Sequence, residues 1–129
     1  MILCLRSDSA DAELYLLNND KPLTKLVWNA DRQLAKQLLR KIDTLLSDTG
    51  VSWSQITGLV VYRGPGSFTG LRIGCTVMNT LAYAHNLPIV GTSNETWIQE
   101  GQTLLSDGKN HVSVMPEYGA EPRITAPRK

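Results

Sequence analysis

Residues 64–74, Gly-Pro-Gly-Ser-Phe-Thr-Gly-Leu-Arg-Ile-Gly, are the part of this sequence best suited to chemistry. An apolar run at residues 59–62 precedes this glycine-rich stretch, and a helix-like run at residues 71–84 follows it. A strand, a glycine-rich turn and a helix start together suit anion binding. Glycine permits close backbone approach, and the helix start presents unpaired N–H groups. The predicted anion or nucleotide loop comprises Gly64, Gly66, Ser67, Thr69 and Arg72.

The glycine-rich stretch does not match the common phosphate-binding motifs. It lacks the Gly-Lys-Ser/Thr ending of a Walker A loop, and its glycines are not spaced as G-x-G-x-x-G. The residue pattern therefore leaves two interpretations open, an anion site and a structural turn that opens a helix.

The other residues that could bind a metal or act in catalysis are scattered along the sequence. His85 and His111 are far apart and have no acidic partner at metal-ligand spacing. Cys4 and Cys75 are isolated thiols in apolar settings, with no histidine or basic cluster beside them. We therefore predict no metal site and no catalytic residue, and the two thiols fit a reducing compartment.

Length and composition predict one ordinary globular domain. The chain has 129 residues, 42% of them hydrophobic and 19% charged. Its formal net charge of +1 excludes a global basic field for nucleic acid. There is no secretory signal and no apolar run of about 20 residues, so we expect a cytoplasmic protein without a membrane segment.

The elements that position the glycine-rich stretch follow from hydrophobic periodicity. Short apolar runs predict strands at residues 2–5, 13–17, 23–28, 59–62 and 88–91, with a further short strand at 111–115. Helical spacing predicts helices at residues 32–47, at 71–84, and from Thr92 or Ser93 to about residue 105. This order predicts an α/β lobe, a mixed sheet of about five strands with helices packed on it.

The last part of the chain differs in composition. We assign residues 1–105 to the lobe and residues 106–129 to a linker and a proline-rich tail. Pro116, Pro122 and Pro127 exclude a regular helix in the tail. Arg123, Arg128 and Lys129 are cations that could meet RNA, although mobile charges are usually solvated.

Two glycines of the second helix, Gly70 and Gly74, stand one turn apart on the same face. A glycine inside a helix costs about 1 kcal/mol relative to alanine, so close packing is a natural reason to keep it. The neighbour that packs there is either a partner protein or the central sheet, and the pattern alone does not separate the two.

Residues 64–74 resemble the signature of the bacterial TsaB family, also called YeaZ, and the likeness extends in order from Ile2 to about Thr103. The resemblance implies a ribonuclease-H-like, actin-like (ASKHA) lobe. It also implies a non-catalytic partner of the paralogous enzyme TsaD in forming N6-threonylcarbamoyladenosine in tRNA. Full-length members carry a second lobe, followed by a C-terminal stretch with a Tyr-x-x-x-Pro pattern. This chain has the pattern and is expected to be a short form that lacks the second lobe.

The resemblance also implies partners. TsaB-like proteins are thought to pair through their first two helices, which predicts an interface with a TsaD-like paralogue. A TsaE-like ATPase and, indirectly, tRNA belong to the expected assembly, and a homodimer is the alternative use of the same helices. No cofactor is expected on this chain alone, with ATP and magnesium placed at the level of the complex. The predicted interface residues are Leu38, Ile42, Gly70, Leu71, Gly74, Val77 and Met78.

A small ATP-binding phosphotransferase or hydrolase that uses residues 64–70 is the competing class, and a regulatory homodimer is a third. Nucleotide-binding relatives place an Asp-Thr/Ser pair after the first strand, where this chain has Arg6-Ser7. Arginine cannot bind magnesium, which argues against ATP hydrolysis by this chain. Asp8 remains open as a substitute carboxylate.

Overall fold

The computed structural model describes residues 1–19 and 21–117. Five strands and three helices make up an α/β lobe, in agreement with the predicted fold. The strands are β1 (Ile2–Arg6), β2 (Asp11–Asn18), β3 (Lys21–Asn29), β4 (Gly58–Tyr62) and β5 (Ile89–Thr92). The helices are α1 (Leu34–Thr49), α2 (Phe68–His85) and α3 (Trp97–Ser106), with single 3-10 turns at Asp31–Gln33 and Trp53–Gln55.

The strands form one mixed sheet in the order β3-β2-β1-β4-β5. Short polar turns connect β1, β2 and β3, so these strands pair antiparallel. Strands β4 and β5 each follow a helix, and this crossover lets β4 run parallel to β1 and β5 parallel to β4. The C-terminal ends of β1, β4 and β5 therefore share one end of the sheet, where the glycine-rich stretch begins.

Helices cover both faces of this sheet. Successive side chains of a strand point to opposite faces, and in β1 Leu3 and Leu5 point to the layer formed by α1 and α2. Cys4 points to the other face, where it joins Val60 and Trp97 under α3. The buried residues of α1 recur at helical spacing, and this apolar stripe packs on the sheet.

Strand β3 forms one edge of the sheet. Lys21, Pro22 and Lys25 are exposed along it. Its pairing with β2 shifts register between Leu16 and Leu17.

Two predicted helix starts differ from the structure by three residues or more. Helix α2 begins at Phe68, three residues earlier than expected. Helix α3 begins at Trp97, because Thr92 stays in β5 and its hydroxyl donates a 2.7 Å hydrogen bond to the Trp97 carbonyl oxygen.

The predicted strand at residues 111–115 is wrong. The His111 N–H donates to the carbonyl oxygen of Ile89, as a strand residue would. The next edge donor, the Gly91 N–H, instead reaches the imidazole Nδ1 of His111, and Val112 has a φ of +67°. Side-chain groups and a left-handed residue thus interrupt the ladder.

Within the described ranges, no helix is long and apolar enough to cross a membrane. The tail with its Tyr-x-x-x-Pro pattern and the cations Arg123, Arg128 and Lys129 lies outside the described residues.

Candidate functional site

The glycine-rich stretch is folded tightly against the end of β1. The Ser67 N–H donates a 2.9 Å hydrogen bond to the Asp8 carbonyl oxygen, and the Ser7 hydroxyl donates a 2.8 Å bond to the Gly70 carbonyl oxygen. A Cβ at Gly66 would overlap the Asp8 side chain. The start of α2 is therefore positioned by the β1–β2 turn.

Gly64 has a φ of +120°, a backbone conformation in which a residue with a side chain would be strained. A Cβ there would also overlap the Glu117 carbonyl oxygen. The next peptide bond, Gly64–Pro65, is cis, and the Pro65 carbonyl oxygen accepts a 3.0 Å hydrogen bond from the Tyr62 hydroxyl. Gly64 and Gly66 thus face protein atoms, and the close backbone approach they permit is to this chain itself.

The remaining members of the predicted anion loop, Ser67, Thr69 and Arg72, are exposed at the start of α2. Ser67 and Thr69 border a cavity of about 370 Å³ beside the helix N-terminus, whereas Arg72 does not. The cavity is lined by Ser9, Ala10, Ala30, Asp31, Arg32, Leu34, Ser67, Thr69, Gly70 and Ile73. The structure therefore brings together only part of the predicted loop, and Asp31 offsets the charge of Arg32 there.

The carboxylate of Asp8, the open substitute for a metal-binding aspartate, is bound by Arg6. The Arg6 Nε lies 2.8 Å from one Asp8 oxygen and Nη2 lies 3.1 Å from the other. The guanidinium also lies 4.0 Å from the ring centroid of Tyr62. The hydrogen bond to Asp8 raises the pKa of Arg6, and the guanidinium occupies both oxygens of the Asp8 carboxylate.

The two glycines of α2 face the sheet. A Cβ at Gly70 would overlap the Ser7 carbonyl oxygen, and one at Gly74 would overlap the Ser7 hydroxyl and lie 3.2 Å from Leu5 Cδ2. The prediction that these glycines face a partner is therefore wrong, and the alternative, close packing on the sheet, is what the structure has.

Four further predicted interface residues also lie in the chain's own core. Leu38, Ile42, Leu71 and Met78 each have 0% of their surface exposed, so their side chains cannot contact a partner in this fold. The physical reason is that an apolar stripe at helical spacing first buries itself on the sheet. Val77 differs from these four residues, since its side chain is only partly buried.

Val77 borders a groove of about 330 Å³ between the outer faces of α1 and α2, which we call the α1–α2 groove. Phe68, the single phenylalanine of the sequence, is 54% exposed there, and the Arg72 guanidinium lies 5.6 Å from its ring centroid. The groove is lined by Ala35, Phe68, Thr69, Arg72, Ile73, Thr76 and Val77. Thr69, Arg72 and Val77 were named from the sequence, whereas Ala35, Ile73 and Thr76 carry no such signal, and Phe68 is distinguished only as an aromatic residue within the glycine-rich stretch.

Three cations lie on the outer face of α1. Arg32 precedes the helix, and Lys36 and Arg40 follow at intervals of four residues, which places them on one side. All three are exposed, and none forms an ion pair with any residue in the described part of the chain. Arg72 lines the α1–α2 groove, so exposed cations lie on both of the helices that border it.

Both histidines have structural contacts. The His85 ring stacks on Trp53 with 4.1 Å between centroids, and His111 Nδ1 accepts a hydrogen bond from the Gly91 N–H. Among residues 1–19 and 21–117, no three His, Cys, Asp or Glu side chains are grouped closely enough to hold a metal ion.

Comparison with known proteins agrees with this fold. Residues 28–113 match the family model described as TsaD, tRNA N6-adenosine threonylcarbamoyltransferase. The tRNA threonylcarbamoyladenosine biosynthesis protein TsaB of Haemophilus influenzae is 35% identical over 86 residues, which are 67% of this chain and 36% of that protein. A tRNA N6-adenosine threonylcarbamoyltransferase of Lacticaseibacillus casei is 38% identical over 61 residues, 47% of this chain and 18% of that protein.

Among solved structures, YeaZ from Pseudomonas aeruginosa superimposes with a TM-score of 0.68 at 29% identity, covering 83% of this chain and 49% of that one. The chain thus spans less than half the length of these relatives. Because the family model matches two-thirds of the residues, this chain belongs to the TsaD threonylcarbamoyltransferase family and is a TsaB/YeaZ-like member of it.

Proposed function

We propose that this chain is a non-catalytic subunit in the formation of N6-threonylcarbamoyladenosine in tRNA. It binds and orients a TsaD-like catalytic paralogue through the α1–α2 groove. The names of the relatives, a TsaB biosynthesis protein and threonylcarbamoyltransferases, support this role. The assembly would also contain a TsaE-like ATPase, would act on tRNA, and would work in the cytoplasm.

The exposed ring of Phe68 beside the groove is the observation that carries the proposal. The side chains of Ile73 and Val77 are only partly buried and continue the apolar surface along α2. Aromatic side chains that line a concave apolar patch are typical of the residues that dominate binding energy in protein interfaces. Exposure of an aromatic ring to water is unfavourable, and a partner that covers Phe68 would remove this cost.

The charges around the groove favour a particular kind of partner surface. Arg72 lines the groove, and Arg32, Lys36 and Arg40 are exposed on or just before α1, the other helix that borders it. A complementary partner would present apolar side chains to Phe68 and acidic side chains to these cations. Such complementarity contributes to the rate and specificity of association more than to its strength.

The Arg6–Asp8 pair supports the non-catalytic assignment. A phosphotransferase needs a carboxylate that is free to hold a magnesium–phosphate complex, and here Arg6 binds both oxygens of Asp8. We therefore propose that ATP and magnesium act in the complex, and that this chain binds neither alone. Titration of the purified chain with magnesium-ATP is expected to give no heat and no phosphate release.

Mixing this chain with the TsaD-like protein of the same cell, followed by sedimentation analysis, tests the proposal. We expect a heterodimer that Thr76→Arg prevents, because Thr76 is exposed in the groove and arginine would fill it with charge. The matched control is Thr103→Arg, the same change at an exposed position of α3 in the opposite layer. A different outcome would contradict the proposal: the chain does not bind the TsaD-like protein, and instead self-associates in a way that Thr76→Arg abolishes and Thr103→Arg does not. That result would favour the regulatory homodimer.

A further inference from the structure

The residues that follow α3, numbers 110–117, run back along the edge of β5, and we call them the closing segment. The His111 N–H donates a 2.8 Å hydrogen bond to the Ile89 carbonyl oxygen, and the Ile89 N–H donates a 3.1 Å bond to the Asn110 side-chain oxygen. The Gly91 N–H donates to His111 Nδ1 at 3.0 Å. Side-chain atoms thus replace the carbonyl groups that a neighbouring strand would offer.

Asn79 of α2 holds the middle of this segment. Its Nδ2 donates a 3.0 Å hydrogen bond to the Val114 carbonyl oxygen, and its Oδ1 accepts a 2.8 Å bond from the Val114 N–H. Val114 is only 3% exposed, and its Cγ1 occupies the place where a Cβ of Gly91 would stand. One amide therefore satisfies both backbone groups of a buried residue, which ties the closing segment to α2.

The end of the closing segment supports the turn that precedes α2. The Glu117 N–H donates a 2.6 Å hydrogen bond to the Arg63 carbonyl oxygen, and the Arg63 Nε donates a 3.1 Å bond to the Met115 carbonyl oxygen. The Glu117 carbonyl oxygen sits directly against Gly64. Arg63 follows β4, so the closing segment contacts the first residues of the glycine-rich turn.

The same turn leads into the groove. On its other side the Ser67 N–H is held by the Asp8 carbonyl oxygen, and the Leu71 N–H donates a 3.0 Å bond to the Ser67 carbonyl oxygen at the first turn of α2. Phe68 lies between these two anchored residues. Its position therefore depends on a turn that is supported by Asp8 from one side and by Glu117 from the other.

We propose that Asn79 and the closing segment are positioning elements of the α1–α2 groove. Asn79 fixes Val114, the closing segment fixes Arg63 and Gly64, and this turn fixes the helix start that carries Phe68. The effect on a partner rests on the proposed function, whereas the mechanical coupling is a property of this chain alone.

Amide hydrogen exchange on the full chain tests the coupling. In Asn79→Ala we expect faster exchange at Val114 and Glu117, and also at Ser67 and Leu71, by about tenfold or more. Thr80→Ala is the matched control, since it alters the neighbouring exposed residue of α2 without touching the closing segment and should leave these amides unchanged. Arg63→Gln is the second variant, for use if Asn79→Ala unfolds the lobe. It removes the hydrogen bond from Arg63 to the Met115 carbonyl oxygen at a partly exposed side chain, and it should speed exchange at the same amides.

Faster exchange confined to the closing segment in both variants would overturn the proposal, because the segment would then be held without positioning the turn. Affinity for the TsaD-like protein separates this outcome from a failure of the proposed function. If the unmodified chain binds and Asn79→Ala binds at least about tenfold more weakly, the coupling reaches the groove. If the unmodified chain does not bind, the proposed function fails, and the exchange data still decide the coupling.

Discussion

The hydroxyl of Ser7 donates a 2.8 Å hydrogen bond to the carbonyl oxygen of Gly70, which joins the end of β1 to the first turns of α2. Ser7 is completely buried, and its side chain also lies under Gly74, one turn further along the helix. Because neither glycine has a side chain there, α2 comes close to β1. This contact places the helix start that carries Phe68.

Replacing Gly74 by leucine is expected to destabilise the lobe. Overpacking of a filled site costs about 1–3 kcal/mol and often more, whereas the gain in helix propensity is at most about 1 kcal/mol. We expect the melting temperature of Gly74→Leu to fall by roughly 5 °C or more. The control is Ala84→Leu, at an exposed position of the same helix. An unchanged melting temperature with weakened partner binding would return Gly74 to the interface.

Ser7 and Gly74 are expected to be energetically coupled. In Gly74→Ala the new methyl group overlaps the Ser7 hydroxyl, whereas the Ser7 Cβ is an ordinary 3.4 Å away. Ser7→Ala alone loses one buried hydrogen bond, at about 1 kcal/mol. The double variant should therefore be more stable than the sum of the single changes predicts, by about 0.5–3 kcal/mol in denaturant unfolding. Strict additivity would mean that the hydroxyl does not limit the approach of α2.

The fold was predictable because its signals are local. The apolar runs of the strands and the stripe of α1 each determine one element, and the connection lengths then determine which strands run antiparallel. The closing segment was misread as a strand because Asn110 and His111 pair with β5 through their side chains. Such pairing leaves no alternation of apolar and polar residues in the sequence.

The site was predictable only in part. The two helices chosen for the interface do border the α1–α2 groove, but the chosen residues, such as Leu38 and Met78, form the core. Periodicity identifies the face of a helix that packs on its own sheet. Exposed groove residues such as Ala35 and Thr76 are small or polar and look like any solvent-facing position.

Phe68 is expected to be the main anchor for the partner. Truncation of a central aromatic side chain commonly costs 2 kcal/mol or more of binding energy, so Phe68→Ala should weaken binding of the TsaD-like protein by about thirtyfold. Tyr83→Ala is the matched control, because Tyr83 is an even more exposed aromatic residue of the same helix, at 91%, and does not line the groove. Equal losses in the two variants, measured by calorimetry, would contradict this role.

The two thiols are expected to be unreactive in the folded chain. Burial raises the pKa of Cys75 to about 11 and raises that of Cys4 as well. Only the thiolate reacts readily, so labelling by an aromatic disulfide at about pH 8 should require unfolding. The labelling rate should rise with denaturant, and fast labelling of either thiol under native conditions would contradict the burial.

The raised pKa of Cys75 also predicts a loss of stability at alkaline pH. The unfolded chain ionises first, near 9.0, while the folded chain resists ionisation until about 11. The free energy of unfolding should therefore be insensitive to this thiol below pH 9 and fall as the pH rises from 9.0 towards about 11. Denaturant titrations at several alkaline pH values check this, and Cys75→Ala should show a shallower decline.

The outer edge of β3 has a consequence for the behaviour of this protein in a crowded solution. An exposed strand edge is a template on which strands of other molecules can add, and this leads to aggregation. Here Pro22 has no N–H to donate, Lys21 and Lys25 add like charges, and the register shift in the pairing with β2 at Leu16 and Leu17 makes β3 irregular. Unspecific growth of the sheet is thereby disfavoured at this edge. In the proposed function, association with another molecule takes place at the α1–α2 groove instead.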